Sequence, residues 1–209
     1  MTDILLIGLA MTLLYISIAN RLYTYLRILV LQGFILFGVT FLTLTEINTI
    51  NLLLILIETI GFKAILVPWF MNYIISRNKI TREAEPYLPN FISLIIVTAI
   101  IVITIILAGS IKDPNLDKTF FIVAVSTLFT GLYLIASRKK IITHVIGYLI
   151  MENGVFILSL AIGNEMPLLV NLGIMLDIFA SVLILGVFLN KIGDVINDPD
   201  VNLLRNLKD

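Results

Sequence analysis

Four ionisable side chains lie inside stretches of the sequence that are otherwise apolar: Glu58, Lys63, Glu152 and Asp177. A charge in the middle of an apolar helix is costly unless it is paired, hydrated or neutralised, so such residues are first read as functional. Burial disfavours the charged form of a carboxyl and of an amine alike, so the two side by side in an apolar setting can exchange a proton near neutral pH. The same residues also suit a static role. Lys63 paired with Glu152 or Asp177 would fix the register of neighbouring helices without moving any proton. Glu58 and Lys63 are five residues apart, about 140° around an α-helix, and are expected to face different neighbours.

His144, Tyr148 and Glu152 follow one another at i, i+4 and i+8, and Ser159 lies seven beyond Glu152, so all four share one helix face. This polar stripe is interrupted at Phe156. Histidine could collect protons at the rim, the tyrosine hydroxyl could relay them and Glu152 could hold one. Anchoring at a membrane surface is the alternative, because His144 follows the basic run Arg138-Lys139-Lys140. Backbone breakers cluster nearby. Pro68 leaves the Ala64 carbonyl without its usual amide donor, so water or a side chain can enter there. Gly147 and Gly154 flank Glu152, and Gly173 lies one turn before Asp177, permitting close approach of helices.

The elements that must position these groups follow from composition. Of the 209 residues, 59% are hydrophobic and 13% charged, half the charged share of an ordinary soluble domain, which places the chain in a bilayer. Fourteen cations balance fourteen anions, so no bulk charge draws it to nucleic acid. With no cysteine and one histidine it offers no disulfide, no thiolate metal site and no bis-histidine haem of its own. Neither a phosphate-binding G-x-x-x-x-G-K-[ST] loop nor a G-x-G-x-x-G turn is present. These absences argue against an enzyme acting alone, and no cofactor or metal is expected.

Seven predominantly apolar spans are expected, roughly Ile4 to Ala19, Ile28 to Leu44, Leu52 to Ile75, Phe91 to Ala108, Phe120 to Ala136, Ile141 to Gly163 and Leu168 to Leu189. The start, Met-Thr-Asp, lacks the basic flank of a secretory signal, so the first span reads as a retained helix. Alternation of the spans puts Arg21, Arg27, Arg77, Lys79, Arg82, Arg138, Lys139, Lys140, Lys191, Arg205 and Lys208 on one side and only Lys112 and Lys118 on the other. That asymmetry sets the N-terminus outside and the C-terminus in the cytoplasm. Lys63, Glu152 and Asp177 then fall at one depth, roughly 16 to 20 Å from the cytoplasmic ends of their helices. The expected fold class is therefore all-α, a seven-helix polytopic bundle of the cell membrane. Residues 1–209 form one transmembrane domain, and residues 191–209 a cytoplasmic tail. The tail either frays or docks on a partner through Val201, Leu203 and Leu204.

Two segments carry a resemblance: Gly147-Tyr148-Leu149-Ile150-Met151-Glu152-Asn153-Gly154, and Leu172-Gly173-Ile174-Met175-Leu176-Asp177-Ile178-Phe179-Ala180. Together with Lys63-Ala64-Ile65-Leu66-Val67-Pro68, Met71, Tyr73 and the tail Asp200-Val201-Asn202-Leu203-Leu204, the chain resembles the hydrogenase-4 component E family. The resemblance implies a membrane subunit of a complex I-like assembly, such as a group 4 [NiFe]-hydrogenase or formate hydrogenlyase, that carries no redox centre itself. The implied neighbours are antiporter-like and quinone-region-like membrane subunits and, through them, [NiFe]-hydrogenase-type and iron–sulfur subunits. The helix pair of residues 141–190, with the preceding helix 120–136, is similar to the K-type subunit of complex I, and residues 1–137 supply the N-terminal helices. By this likeness Glu152 and Asp177 belong to a polar axis that passes charge changes to neighbouring ion channels, and Lys63 matches the family's lysine. In the K-type pattern the first acid follows the glycine more closely; here Leu149 takes that place and Glu152 comes a turn later, while the second acid is Asp rather than Glu.

The expected function is thus a non-catalytic subunit that helps couple redox chemistry elsewhere to movement of H⁺ or Na⁺. Its proton or ion pathway is drawn from Glu152, Asp177, Lys63, Glu58, Tyr148 and His144. A scaffold of the same membrane arm, and a free-standing secondary transporter, are the alternatives. A transporter would be expected to show discontinuous helices and an inverted repeat, and the sequence shows neither.

Overall fold

The computed structural model describes residues 1–43, 53, 55–77, 86–114 and 116–161. Among them the chain is all-helical. It runs through α1 (Thr2–Ile18), α2 (Leu22–Thr43), a π-helical segment π1 (Ile57–Leu66) that passes directly into α3 (Val67–Arg77), α4 (Asn90–Ser110), α5 (Lys118–Ser137) and α6 (Ile141–Ala161). The described residues contain no strand, and an isolated antiparallel bridge joins Pro86 to Arg138. Five of these helices, with π1 and α3 taken together over Ile57–Ser76, are long and apolar enough to cross a membrane; α1 is apolar but shorter. They correspond to the first six expected spans. The seventh, Leu168 to Leu189, lies outside the described residues with Gly173, Asp177 and the tail.

Two helices start earlier than hydropathy suggests. The second begins at Leu22 rather than Ile28, because the Arg21 carbonyl accepts from the Thr24 and Tyr25 amides and Arg27 simply points outward from the helix. The fifth begins at Lys118, two residues before Phe120, because the Asp117 carboxylate accepts from the Thr119 and Phe120 amides at 2.9 and 3.2 Å. Hydropathy marks the apolar part of a helix, whereas capping marks its end.

Helices α5 and α6 form a tight antiparallel hairpin whose approach depends on missing side chains. A Cβ at Gly131 would lie 2.6 Å from the Gly147 carbonyl oxygen, and one at Gly154 would lie 2.7 Å from the Leu128 amide nitrogen. At one end the Asp117 amide donates to the Ala161 carbonyl at 2.9 Å. At the other, the basic run is not an open rim: Arg138 and Lys140 are each 1% exposed. Arg138 Nη2 donates to the Ser17 carbonyl at 2.8 Å, and the Tyr87 amide to the Ser137 carbonyl at 2.9 Å, so the turn is sealed between the end of α1 and the segment entering α4.

Two apolar clusters fill the bundle. One gathers Leu13, Ile16, Leu29, Val67, Met71, Leu149 and Ile150; the other gathers Leu6, Leu9, Leu36, Phe120, Phe156 and Ile157. Along α1, α2 and α6 the change from one cluster to the other falls at Thr12, Gln32 and Glu152-Asn153, so a polar layer separates them. The outward faces are apolar as well, with Phe91, Ile95, Ile103 and Ile106 of α4 exposed, as suits contact with lipid. Replacement Gly154→Leu is expected to force α5 from α6 and remove most monodisperse protein after detergent extraction. Gly109→Ala, with nothing within 4 Å of the added atom, should leave yield unchanged; size-exclusion profiles of the two check this.

Candidate functional site

The site begins with Pro68. Lacking an N–H and clashing with the carbonyl of residue i−4, proline at the start of α3 prevents a regular α-helical turn over Ala64. The backbone answers by widening: residues 57–66 adopt i→i+5 bonding, and the Val67 amide donates to the Phe62 carbonyl. In this form residues five apart stack on one side. Glu58 and Lys63, expected on different faces of an α-helix, therefore line the same cavity. Gly33 of α2 lets π1 press close, since a Cβ there would lie 2.9 Å from the Ala64 amide nitrogen.

From this position Lys63 reaches α6. Its Nζ lies 2.7 Å from Glu152 Oε1, and both side chains are 9% exposed. The approach is an ion pair outside hydrogen-bond geometry, and among the described residues the ammonium has no aligned acceptor. The same Nζ sits 4.3 Å from the centroid of the Phe156 ring, whose electron-rich face favours a cation. Glu58, Lys63, Glu152 and Asn153 line a cavity together with the apolar Leu29, Phe62, Val67 and Leu149. The cavity has a volume of about 20 Å³, room for a water molecule.

Asn153 continues the polar layer away from the cavity. Its Nδ2 donates to Gln32 Oε1 at 3.0 Å, Gln32 Nε2 donates to Thr12 Oγ1 at 2.8 Å, and Thr12 Oγ1 donates to the Leu9 carbonyl at 2.6 Å. Reading for ionisable groups alone misses these three residues. The signal that finds them is a glutamine and an asparagine in otherwise apolar helices, which must be satisfied internally.

Of the residues singled out from the sequence, Glu58, Lys63 and Glu152 come together. Asp177 lies outside the described residues. His144 and Tyr148 share a helix face with Glu152, but no hydrogen bond links the three among the described residues. His144 Nε2 instead lies 2.7 Å from the Arg138 carbonyl oxygen, which only accepts, so that nitrogen carries the proton and the ring braces the α5–α6 turn. Phe156, which interrupts the stripe, is the ring that covers the ammonium. Among the described residues no group of three or more His, Cys, Asp or Glu is placed to hold a metal ion.

Apolar helices of spanning length around a buried amine and two carboxyls define a helical protein of membrane type with an ionisable interior. No family model matches the chain, and no solved structure does. It is 27% identical over 209 residues to an uncharacterized protein of Mycobacterium tuberculosis, covering 97% of this chain and 93% of that one. It is also 30% identical over 149 residues to hydrogenase-4 component E of Escherichia coli K12, covering 70% of this chain and 68% of that one, with the same figures for the Shigella flexneri protein. The chain belongs to the hydrogenase-4 component E family.

Removing one partner of a buried pair leaves an uncompensated charge and costs about 3–5 kcal/mol, whereas removing both is far milder. Lys63→Met should therefore lower the thermal unfolding temperature sharply, and Lys63→Met with Glu152→Gln should recover most of the loss. A double variant no more stable than Lys63→Met would count against the pair as seen.

Proposed function

We propose that this chain is a non-catalytic membrane-arm subunit of a complex I-like assembly of the group 4 hydrogenase or formate hydrogenlyase type, residing in the cytoplasmic membrane. In this reading the described helices and the apolar segment of residues 168–189 make seven spans, with the N-terminus outside and the tail of residues 191–209 in the cytoplasm. The observation that carries the proposal is an amine paired with one carboxyl, Lys63 with Glu152, while a second carboxyl, Glu58, lines the same cavity, which has room for water. An amine so placed has two sites to which it can pass a proton, and a bound water can bridge to the one it does not touch. Asp177 would continue this axis from the following span towards antiporter-like neighbours, while quinone-region-like subunits would link it to the [NiFe] and iron–sulfur partners where redox chemistry occurs. Membership in a family whose relatives are named for hydrogenase-4 supports that assignment.

A scaffold role is the second reading, favoured by the hydrogen-bonded chain from Asn153 to Leu9, which joins three helices as polar glue. Neutralising substitutions separate the two. In the assembled complex, Glu152→Gln and Asp177→Asn are each expected to abolish ion movement coupled to the redox reaction while the soluble redox half still turns over. The check is the pH gradient formed by energised membrane vesicles against redox turnover in the same vesicles. Full ion movement in Glu152→Gln would leave the scaffold reading standing.

A further inference from the structure

The chain of hydrogen bonds leaving the cavity has a fixed direction, and its far end sets it. Thr12 Oγ1 lies 2.6 Å from the Leu9 carbonyl oxygen, which can only accept, so the single hydroxyl proton is committed there. Thr12 can then offer Gln32 only a lone pair. The Gln32 amide must turn its NH₂ to Thr12, at 2.8 Å, and its oxygen to Asn153. Asn153 in turn must give an N–H to that oxygen, at 3.0 Å, which turns the nitrogen end of its amide towards Gln32 and the oxygen end away from it, and Asn153 is also a lining residue of the cavity. Thr12, Gln32 and Asn153 are 5%, 0% and 3% exposed, so bulk water does not replace these links.

We propose that Gln32 is a positioning residue for the Lys63–Glu152 pair: through the one-way chain Asn153–Gln32–Thr12–Leu9 it keeps an amide oxygen, rather than an amide NH₂, at the wall of the charged cavity. This rests on the reading that Lys63 and Glu152 exchange a proton. Among the described residues the ammonium of Lys63 has no aligned hydrogen-bond acceptor. A cavity water can accept from Nζ and donate to the Asn153 oxygen, which favours the charged form of the pair over the form in which Glu152 holds the proton. With the chain cut, the amide is free to turn over and present NH₂ to a cation. The charged form then loses its support, and Glu152 is protonated more of the time.

Carbodiimides react with protonated buried carboxyls, so the occupancy of that form can be read on Glu152 itself by peptide mass spectrometry, in native membranes holding the full chain. Gln32→Leu and Thr12→Val should raise the labelling rate of Glu152 about tenfold, the effect of one lost hydrogen bond to a charged group. Thr12→Ser keeps the hydroxyl and should label as the unaltered protein does. Packing alone predicts the reverse order, because valine keeps the volume of threonine and serine loses a methyl group. No rise in Thr12→Val, or an equal rise in Thr12→Ser, overturns the positioning role. The readout is labelling and not ion movement. Unchanged labelling in Thr12→Val therefore sinks this inference while leaving the coupling reading intact, and full coupling in Glu152→Gln sinks that reading alone.

Discussion

An ammonium and a carboxylate 2.7 Å apart, nearly cut off from solvent, are tolerable only where every neighbour helps to carry the charge. Much of the described architecture can be understood as meeting that condition. The Phe156 ring covers the cation, Glu58 and Asn153 share its cavity, and apolar clusters above and below keep the layer thin. A low-dielectric interior strengthens the pair and raises the cost of leaving either partner alone.

The layer is assembled by features that look unrelated in the sequence. Pro68 imposes the π-helical turn, the turn brings Glu58 and Lys63 to one side, and Gly33 allows that widened segment to lie close to α2. On the other side of the bundle, Gly131, Gly147 and Gly154 bring α5 and α6 together without intervening side chains. Glu152 and Asn153, adjacent in sequence, point into two parts of one layer, one towards the amine and the other towards Gln32. A wide helical turn, a close hairpin and two adjacent polar residues thus converge on a volume that accommodates about a single water.

Basic residues near the helix ends divide into two kinds. Arg21 and Arg27 are exposed, as expected of residues that set orientation. Arg138 and Lys140 are buried in the turn joining α5 and α6, where the guanidinium meets the Ser17 carbonyl and lies 5.9 Å from the Tyr25 ring. A count of cations treats both kinds alike, although the second braces the bundle and is not presented to a membrane surface.

The sequence by itself determined the all-helical class of the described residues, their approximate place in six helices and the presence of isolated charges at Glu58, Lys63 and Glu152, because apolar length and isolated charges are properties of local sequence. It also carried the family, through the residues around Glu152 and Lys63. Only the tertiary structure decided that Lys63 meets Glu152, that Glu58 joins them, and that Thr12, Gln32 and Asn153 form one directed chain. Those outcomes depend on which helices touch and on the departure from α-helical geometry over Ile57–Leu66, just before Pro68. The usual angle of 100° per residue misplaces Glu58 relative to Lys63 as soon as the backbone bonds to i+5 instead of i+4. Periodicity reports one helix at a time, while a hydrogen bond between helices belongs to none of them alone.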